Sequence, residues 1–268
     1  MKIIVIPPYK AFNYTPEKGR FIELELLDNM RKRGQLDGVQ VDVDEGHDLG
    51  HRREPRDEEF AAEIIVGQLN RVKLYCNSGR PDAIVCVGSI MDFSAARMLS
   101  KIPVASSVHS AYHAASLVGD RFSVIEATDP QALIARHLAQ KYGFDHKLVS
   151  VRVMSRSPQE MTKFIGQYSR DERSQTPQYS GIVDDMVAPC IKAIEEDRAD
   201  TLIFSCTPLQ IFEDVVRQRL ADLGYGEIQI VSQLPAAVEM AKAMVNLRLV
   251  QSPRAYPSAC LQAKPAWR

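Results

Sequence analysis

Residues 199–210 read ADTLIFSCTPLQ. Asp200 leads into a short, mostly apolar run that stops at Ser205, Cys206, Thr207 and Pro208. An apolar run of this length bounded by turn residues reads as a buried strand of a parallel sheet. Its thiol would then stand where the strand gives way to a helix. Residues 82–89, DAIVCVGS, have the same form: Asp82, an apolar run and a small-residue turn. Working outward, strand and helix patterns alternate along the chain. Strands are predicted at 2–8, 39–45, 82–89, 102–108, 121–127, 146–154, 200–206 and 228–233. Helical spacing fills most of the intervals, while 155–181 reads as a polar, loop-rich stretch and 251–268 as a loosely packed tail. The pattern predicts an α/β fold of two similar lobes. Each is a mainly parallel sheet flanked by helices, with a cleft between them. Residues 1–112 together with a returning segment, 228–268, would form the first lobe, and 113–227 the second. In open parallel sheets ligands bind beyond the carboxyl ends of the strands, so both turns should face the cleft.

Composition narrows the function. The 268 residues carry a formal net charge of −1, with 45% hydrophobic and 25% charged residues. Nothing in this balance favours nucleic acid or an acidic membrane surface. The basic clusters Arg31–Arg33 and His51–Arg56 are short, and the second runs at once into Asp57, Glu58 and Glu59. No apolar run approaches the ~20 residues that cross a bilayer, and the opening segment is too short for a signal-peptide core. A cytoplasmic protein is expected. The five cysteines, Cys76, Cys86, Cys190, Cys206 and Cys260, form no C-x-x-C pair. Their odd number in such a compartment points to free thiols.

Cys206 is the strongest chemical candidate. A thiol at the start of a helix meets backbone N–H groups and the positive end of the helix dipole, both of which favour thiolate. The alternative is a small buried hydrophobe. Cys86 lies four residues after Asp82, whereas Cys206 lies six after Asp200. Strand for strand, Gly88 is the counterpart of Cys206, and Cys86 sits one step deeper on the same face. A one-residue bulge would bring Cys86 to the tip. His109 and His113 have i, i+4 spacing without the intervening Glu of a zinc-protease motif, and read as polar residues near a helix start rather than metal ligands. No G-x-G-x-x-G, phosphate-cradling loop or G-x-S-x-G is present.

Taken together, these segments resemble the aspartate/glutamate/hydantoin racemase superfamily over almost the whole chain. GDRFSVIEATDPQALIARHLAQKYGF (119–144), LVSVRVM (148–154), IEEDRADTLIFSCTPL (194–209) and PAAVEMAKAMVNLRLVQSPRAYPS (235–258) follow the order and spacing of hydantoin racemases. The resemblance implies two cysteines facing each other across the lobes. One removes an α-proton and the other returns a proton to the opposite face, without metal or pyridoxal cofactor. Cys206 matches the second cysteine, and Cys86 is offered for the first. Pro8 and Tyr9 stand where the family usually has Asn or Asp, and Glu126 and Ala127 where it has a Thr pair, with Thr128 next. A carboxylate at Glu126 would disfavour a simple dicarboxylate substrate. VIPP (5–8), GSIMDFS (88–94) and LIFSC (202–206) also resemble arylmalonate decarboxylase, a single-cysteine relative.

The reading is therefore a cofactor-independent racemase or epimerase of an amino acid, hydantoin or related carbonyl compound, with Cys206 and Cys86 catalytic. Pro8, Tyr9, Gly88, Ser89, Ile90, Glu126, Thr128 and Thr207 would line the pocket. The alternatives are a single-cysteine decarboxylase or isomerase, of the arylmalonate decarboxylase or maleate isomerase kind, and a non-catalytic binding protein on the same fold. A small-molecule substrate is expected, no metal, no nucleic acid or membrane partner, and an oligomer would be in keeping with the family.

Overall fold

The structure is a computed structural model that describes residues 1–15, 21–50, 58–76, 80–88 and 92–257. The first half runs β1 (Lys2–Ile6), α1 (Ala11–Tyr14), α2 (Ile22–Lys32), β2 (Gln40–Val43), α3 (Glu58–Tyr75), β3 (Ala83–Cys86), α4 (Ser94–Leu99), β4 (Val104–Ser106) and α5 (Ser107–Val118). The second runs β5 (Phe122–Glu126), α6 (Asp129–Tyr142), β6 (Leu148–Val153), α7 (Pro158–Gln167), α8 (Arg170–Ser174), α9 (Pro177–Glu195), β7 (Thr201–Phe204), α10 (Thr207–Gln210), α11 (Glu213–Asp222), β8 (Gln229–Ser232) and α12 (Gln233–Asn246). All eight predicted strands are present. They form two four-stranded parallel sheets with matching orders, β2-β1-β3-β4 and β6-β5-β7-β8.

The sheets repeat residue for residue at their centres. Ile3 pairs with Ala83 and Ile6 with Cys86 in the first; Phe122 pairs with Thr201 and Ile125 with Phe204 in the second. The aspartate before each central strand does the same work. Asp82 Oδ2 accepts the Lys2 N–H at 2.6 Å, and Asp200 Oδ2 accepts those of Asp120 and Arg121 at 2.9 and 3.1 Å. Each carboxylate ties the start of its strand to the neighbouring one. The edge strands β4 and β8 each end on a serine at the N-cap position of the next helix: Ser106 accepts the His109 N–H and caps α5, whereas Ser232 precedes α12 without a side-chain cap bond.

Those two helices are exchanged. Val108, Ala111, Tyr112 and Ala115 of α5 pack with Phe122, Val124 and Ile203 of the second sheet. Leu234, Ala237, Val238 and Ala241 of α12 pack with Ile3, Val5 and Val85 of the first. The helices also pack on each other. The predicted lobe limits are displaced accordingly. Position 112/113 falls inside α5, and β8 pairs with β7 in the second sheet although the sequence pattern places 228–268 in the first lobe. Only α12, not its strand, covers the first sheet, because a helix can bury its apolar stripe on either lobe while a strand must satisfy its ladder.

Two further expectations change. Residues 155–181 carry α7, α8 and the start of α9, initiated by capping boxes at Ser157–Glu160 and Ser169–Glu172. The polar residues read as a loop are caps and solvent faces. The tail is anchored at two points, with 252–255 and Pro257 exposed: the Gln251 amide donates to Val104 O at 2.9 Å and accepts from Val104 N–H at 3.1 Å, closing the exposed edge of β4, and the Tyr256 hydroxyl accepts from Arg97 at 3.3 Å. Residues 258–268, with Cys260, and His51–Arg56 lie outside the described residues.

One buried ion pair joins the lobes. Arg173 of α8, 2% exposed, holds Glu25 of α2 with both terminal nitrogens at 2.8 and 2.5 Å. Arg173→Met strands the partly buried Glu25 carboxylate and is expected to lower unfolding free energy by about 3 kcal/mol, measured by urea titration. A loss within error would show that the pair contributes nothing net.

Candidate active site

The strands of both sheets are parallel, so their carboxyl ends lie together, and the turns that follow reach the opposite lobe. The short α1 after β1 packs on α7, and α10 after β7 packs on α2. Cys206 is the residue before α10 and accepts the Leu209 N–H on its carbonyl at 2.9 Å. With only one turn, α10 supplies a weaker dipole than the long helix implied by residues 209–224. Cys206 keeps 5% exposure. Alternation along the strand sets it on the face of Leu202 and Phe204. All three belong to an apolar cluster that also takes in Tyr9, Cys86, Phe93 and Ala127, residues from the strand ends of both lobes.

Cys86 is the last residue of β3, in register with Ile6 and Ser106. In the second sheet the residue in that place, between Ile125 and Ser232, is Phe204. The counterpart of Cys206 is therefore Gly88. No bulge interrupts the β3 ladders, so Cys86 is not carried to the tip. It is fully buried, and burial pushes its thiol up to about 12 against a lesser downward pull from the Arg97 charge.

Two buried glutamines fix these turns. Gln68 of α3 donates its amide to Ile6 O, Pro7 O and Val87 O at 3.1, 3.0 and 2.8 Å, tying the ends of β1 and β3 together. Gln210 donates to Ser205 O at 3.1 Å and accepts the Leu234 N–H at 3.0 Å, tying the Cys206 turn to α12. Gly88 is held by Ser107, whose hydroxyl accepts its N–H at 3.1 Å and donates to its carbonyl at 3.3 Å. A polar residue in an apolar i, i+4 stripe, Gln68 between Ile64 and Val72, is a signal that the sequence offers for such a role.

This geometry meets a direct comparison. A family model described as Asp/Glu/Hydantoin racemase matches residues 30–241. The chain belongs to the Asp/Glu/hydantoin racemase family. No protein of curated function matches it. Among solved structures it is similar to the allantoin racemase of Klebsiella pneumoniae (TM-score 0.73, 21% identity, 96% of this chain and 94% of that one). It is also similar to the allantoin racemase of Pseudomonas fluorescens (0.70, 18%, 99% and 100%) and to glutamate racemase isoform RacE1 of Bacillus anthracis (0.60, 17%, 93% and 84%). At these identities the likeness is one of fold.

Within that family fold the other candidates are placed unevenly. Tyr9 is 7% exposed, stacks edge-on against Phe60 at 5.8 Å, and abuts Gly46. A Cβ on Gly46, whose φ is +78°, would come within 2.6 Å of the Tyr9 carbonyl carbon, so only glycine lets the loop after β2 close on this turn. Pro8 is half-buried beside it. Thr128 caps α6 and Thr207 opens α10. Glu126 is a correction. It is fully buried on the face of Phe122 and Val124, which packs against Tyr112 of α5, whereas Ala127 takes the Cys206 face. The ground for excluding a dicarboxylate substrate is thereby removed. Ser89 and Ile90 lie outside the described residues.

His109 and His113 line a separate cavity beside β4. Arg97 donates to His109 Nδ1 at 2.8 Å, so His109 carries its proton on Nε2 and donates it to His113 Nε2 at 3.1 Å. Both ring nitrogens of His109 and Nε2 of His113 are thus engaged in hydrogen bonds, and no group of three metal-ligating side chains occurs among the described residues.

The burial of Cys86 has a chemical consequence. Its thiol stays protonated through pH 9, and its contribution to stability is lost only as pH rises from about 9 toward about 12. Iodoacetamide at pH 8 is expected to leave Cys86 unmodified in the native protein and to alkylate it in urea, read by peptide mass spectrometry. Alkylation of native Cys86 at the rate of a free thiol would contradict its placement.

Proposed function

We propose that the chain is a cofactor-independent enzyme that moves a proton at a carbon next to a carbonyl group, with the Cys206 thiol as its acid/base. The observation that carries this reading is the position of Cys206 at a strand-end turn, in one apolar cluster with strand-end residues of the opposite lobe. A carbon acid there is screened from water, and the thiolate removes its α-proton. The electron pair passes into the carbonyl, and backbone N–H groups of the strand-end turns stabilise the enolate oxygen. Return of a proton to carbon from sulfur completes the step. No metal or organic cofactor is needed.

Membership of the family, and similarity to allantoin racemases over nearly the full chain, support racemisation of a ring ureide or a related amino-acid derivative. Inversion by two bases needs a second thiol on the far face, and Cys86 would have to supply it. The register supports a different division of labour. With Gly88 opposite Cys206, one thiol protonates one face only, as a decarboxylase or isomerase requires.

The two are separated by following α-hydrogen exchange in heavy water and optical rotation with allantoin, hydantoins, amino acids and arylmalonates. Cys206→Ala is expected to cut turnover by about 10² to 10⁴-fold. Under the one-thiol reading Cys86→Ser changes it by about twofold or less; a loss comparable to that of Cys206→Ala would establish the two-thiol racemase. Full activity of Cys206→Ala would end both.

A further inference from the structure

A cavity of about 200 Å³ lies between β4, α5 and α12 and is closed on one side by Gln251 and Tyr256 of the tail. It is distinct from the strand-end site: Ser106 lines it, whereas the next residue, Ser107, holds Gly88. Its polar wall centres on Arg97, which is 5% exposed. The guanidinium donates to the Tyr256 hydroxyl at 3.3 Å and to His109, and sits 5.9 and 5.6 Å from the ring centres of Tyr142 and Tyr256. All of these partners are neutral. Among the described residues no carboxylate lies within ion-pair distance of Arg97. Asp92, the acid of this neighbourhood, is engaged by Lys141, by the Tyr142 hydroxyl and by Ser94. A buried guanidinium without a counter-ion is costly unless an anion completes it.

The two histidines do not compete for that role. Arg97 donates a hydrogen bond to His109 and His109 donates one to His113, so each ring has an accepting nitrogen and is neutral. Burial, with the Arg97 charge and the His113 ring, pushes His109 down to about 3. Ser110, 3% exposed, also lines the cavity, and its hydroxyl has no hydrogen-bond partner among the described residues. The facing wall is apolar, from Val104, Met240 and Met244.

We propose that this cavity binds a small monocarboxylate with an apolar body, its carboxylate on Arg97 and Ser110 and its hydrocarbon against Val104, Met240 and Met244. One planar guanidinium matches one carboxylate in a two-pronged pair, and the volume lies below that of sites for drug-sized ligands. A phosphate dianion would leave charge unmatched and the methionines unused. This site stands apart from the proton-transfer reading and does not depend on it.

Isothermal titration of the full chain with hexanoate, butyrate, hexan-1-ol and inorganic phosphate tests the assignment. Hexanoate should bind once per chain, more tightly than butyrate and about tenfold or more tighter than hexan-1-ol or phosphate. Arg97→Gln should weaken hexanoate by about tenfold or more. Met244→Trp, which fills the apolar half from a half-buried position, should weaken it as well, and serves if Arg97→Gln fails to fold. Cys206→Ala should leave binding intact. Absence of saturable binding at about 10 mM hexanoate, undiminished affinity in Arg97→Gln or in Met244→Trp, phosphate binding as tight as hexanoate, or loss of binding in Cys206→Ala alone would overturn the proposal.

Discussion

The exchange of α5 and α12 is the constraint on which the rest of this structure depends. A parallel sheet must be covered on both faces, and each lobe supplies only part of its own cover. The helix that leaves the first sheet closes the second, and the helix that leaves the second closes the first. Neither lobe can bury its strands alone, so the lobes are held in one relative arrangement, reinforced by the Arg173–Glu25 pair. That arrangement aims the carboxyl ends of both sheets at each other and gathers Tyr9, Cys86, Ala127 and Cys206 into a single cluster.

Proton transfer at carbon benefits from such a setting. Dry surroundings strengthen the hydrogen bonds that steady an enolate, and the turns that would donate them are fixed from behind. Gln68 binds three carbonyl groups at the ends of β1 and β3, and Gln210 ties the Cys206 turn to the exchanged helix. The strand-end turns and the lobe packing therefore share the same few residues. The Arg97 cavity is built from the same β4–α5 junction, so of one serine pair Ser106 lines the cavity and Ser107 holds the Gly88 turn.

Much of the fold was legible in the chain. Eight strand patterns, their spacing and the paired aspartates Asp82 and Asp200 give two similar α/β lobes, because apolar runs between turn residues have few other uses. The counting that sets Gly88 opposite Cys206 was legible as well. The helices within 155–181 were harder, since their caps are the same Ser, Glu and Pro residues that mark loops. Thr128 was legible as a polar residue at a strand end, but its work as the α6 cap shows only once its partner, Gln131, is in place.

The sequence by itself determined the strand count, the family likeness and the thiol at the second lobe's turn, all of which rest on local order along the chain. Only the tertiary structure decided which face each side chain meets. It left the β3 ladders without the bulge that would carry Cys86 to the tip, turned Glu126 away from Cys206 toward Tyr112, and assigned β8 to one sheet and α12 to the other. Those outcomes follow from register and from long-range burial, which couple residues far apart in the chain and leave no local trace.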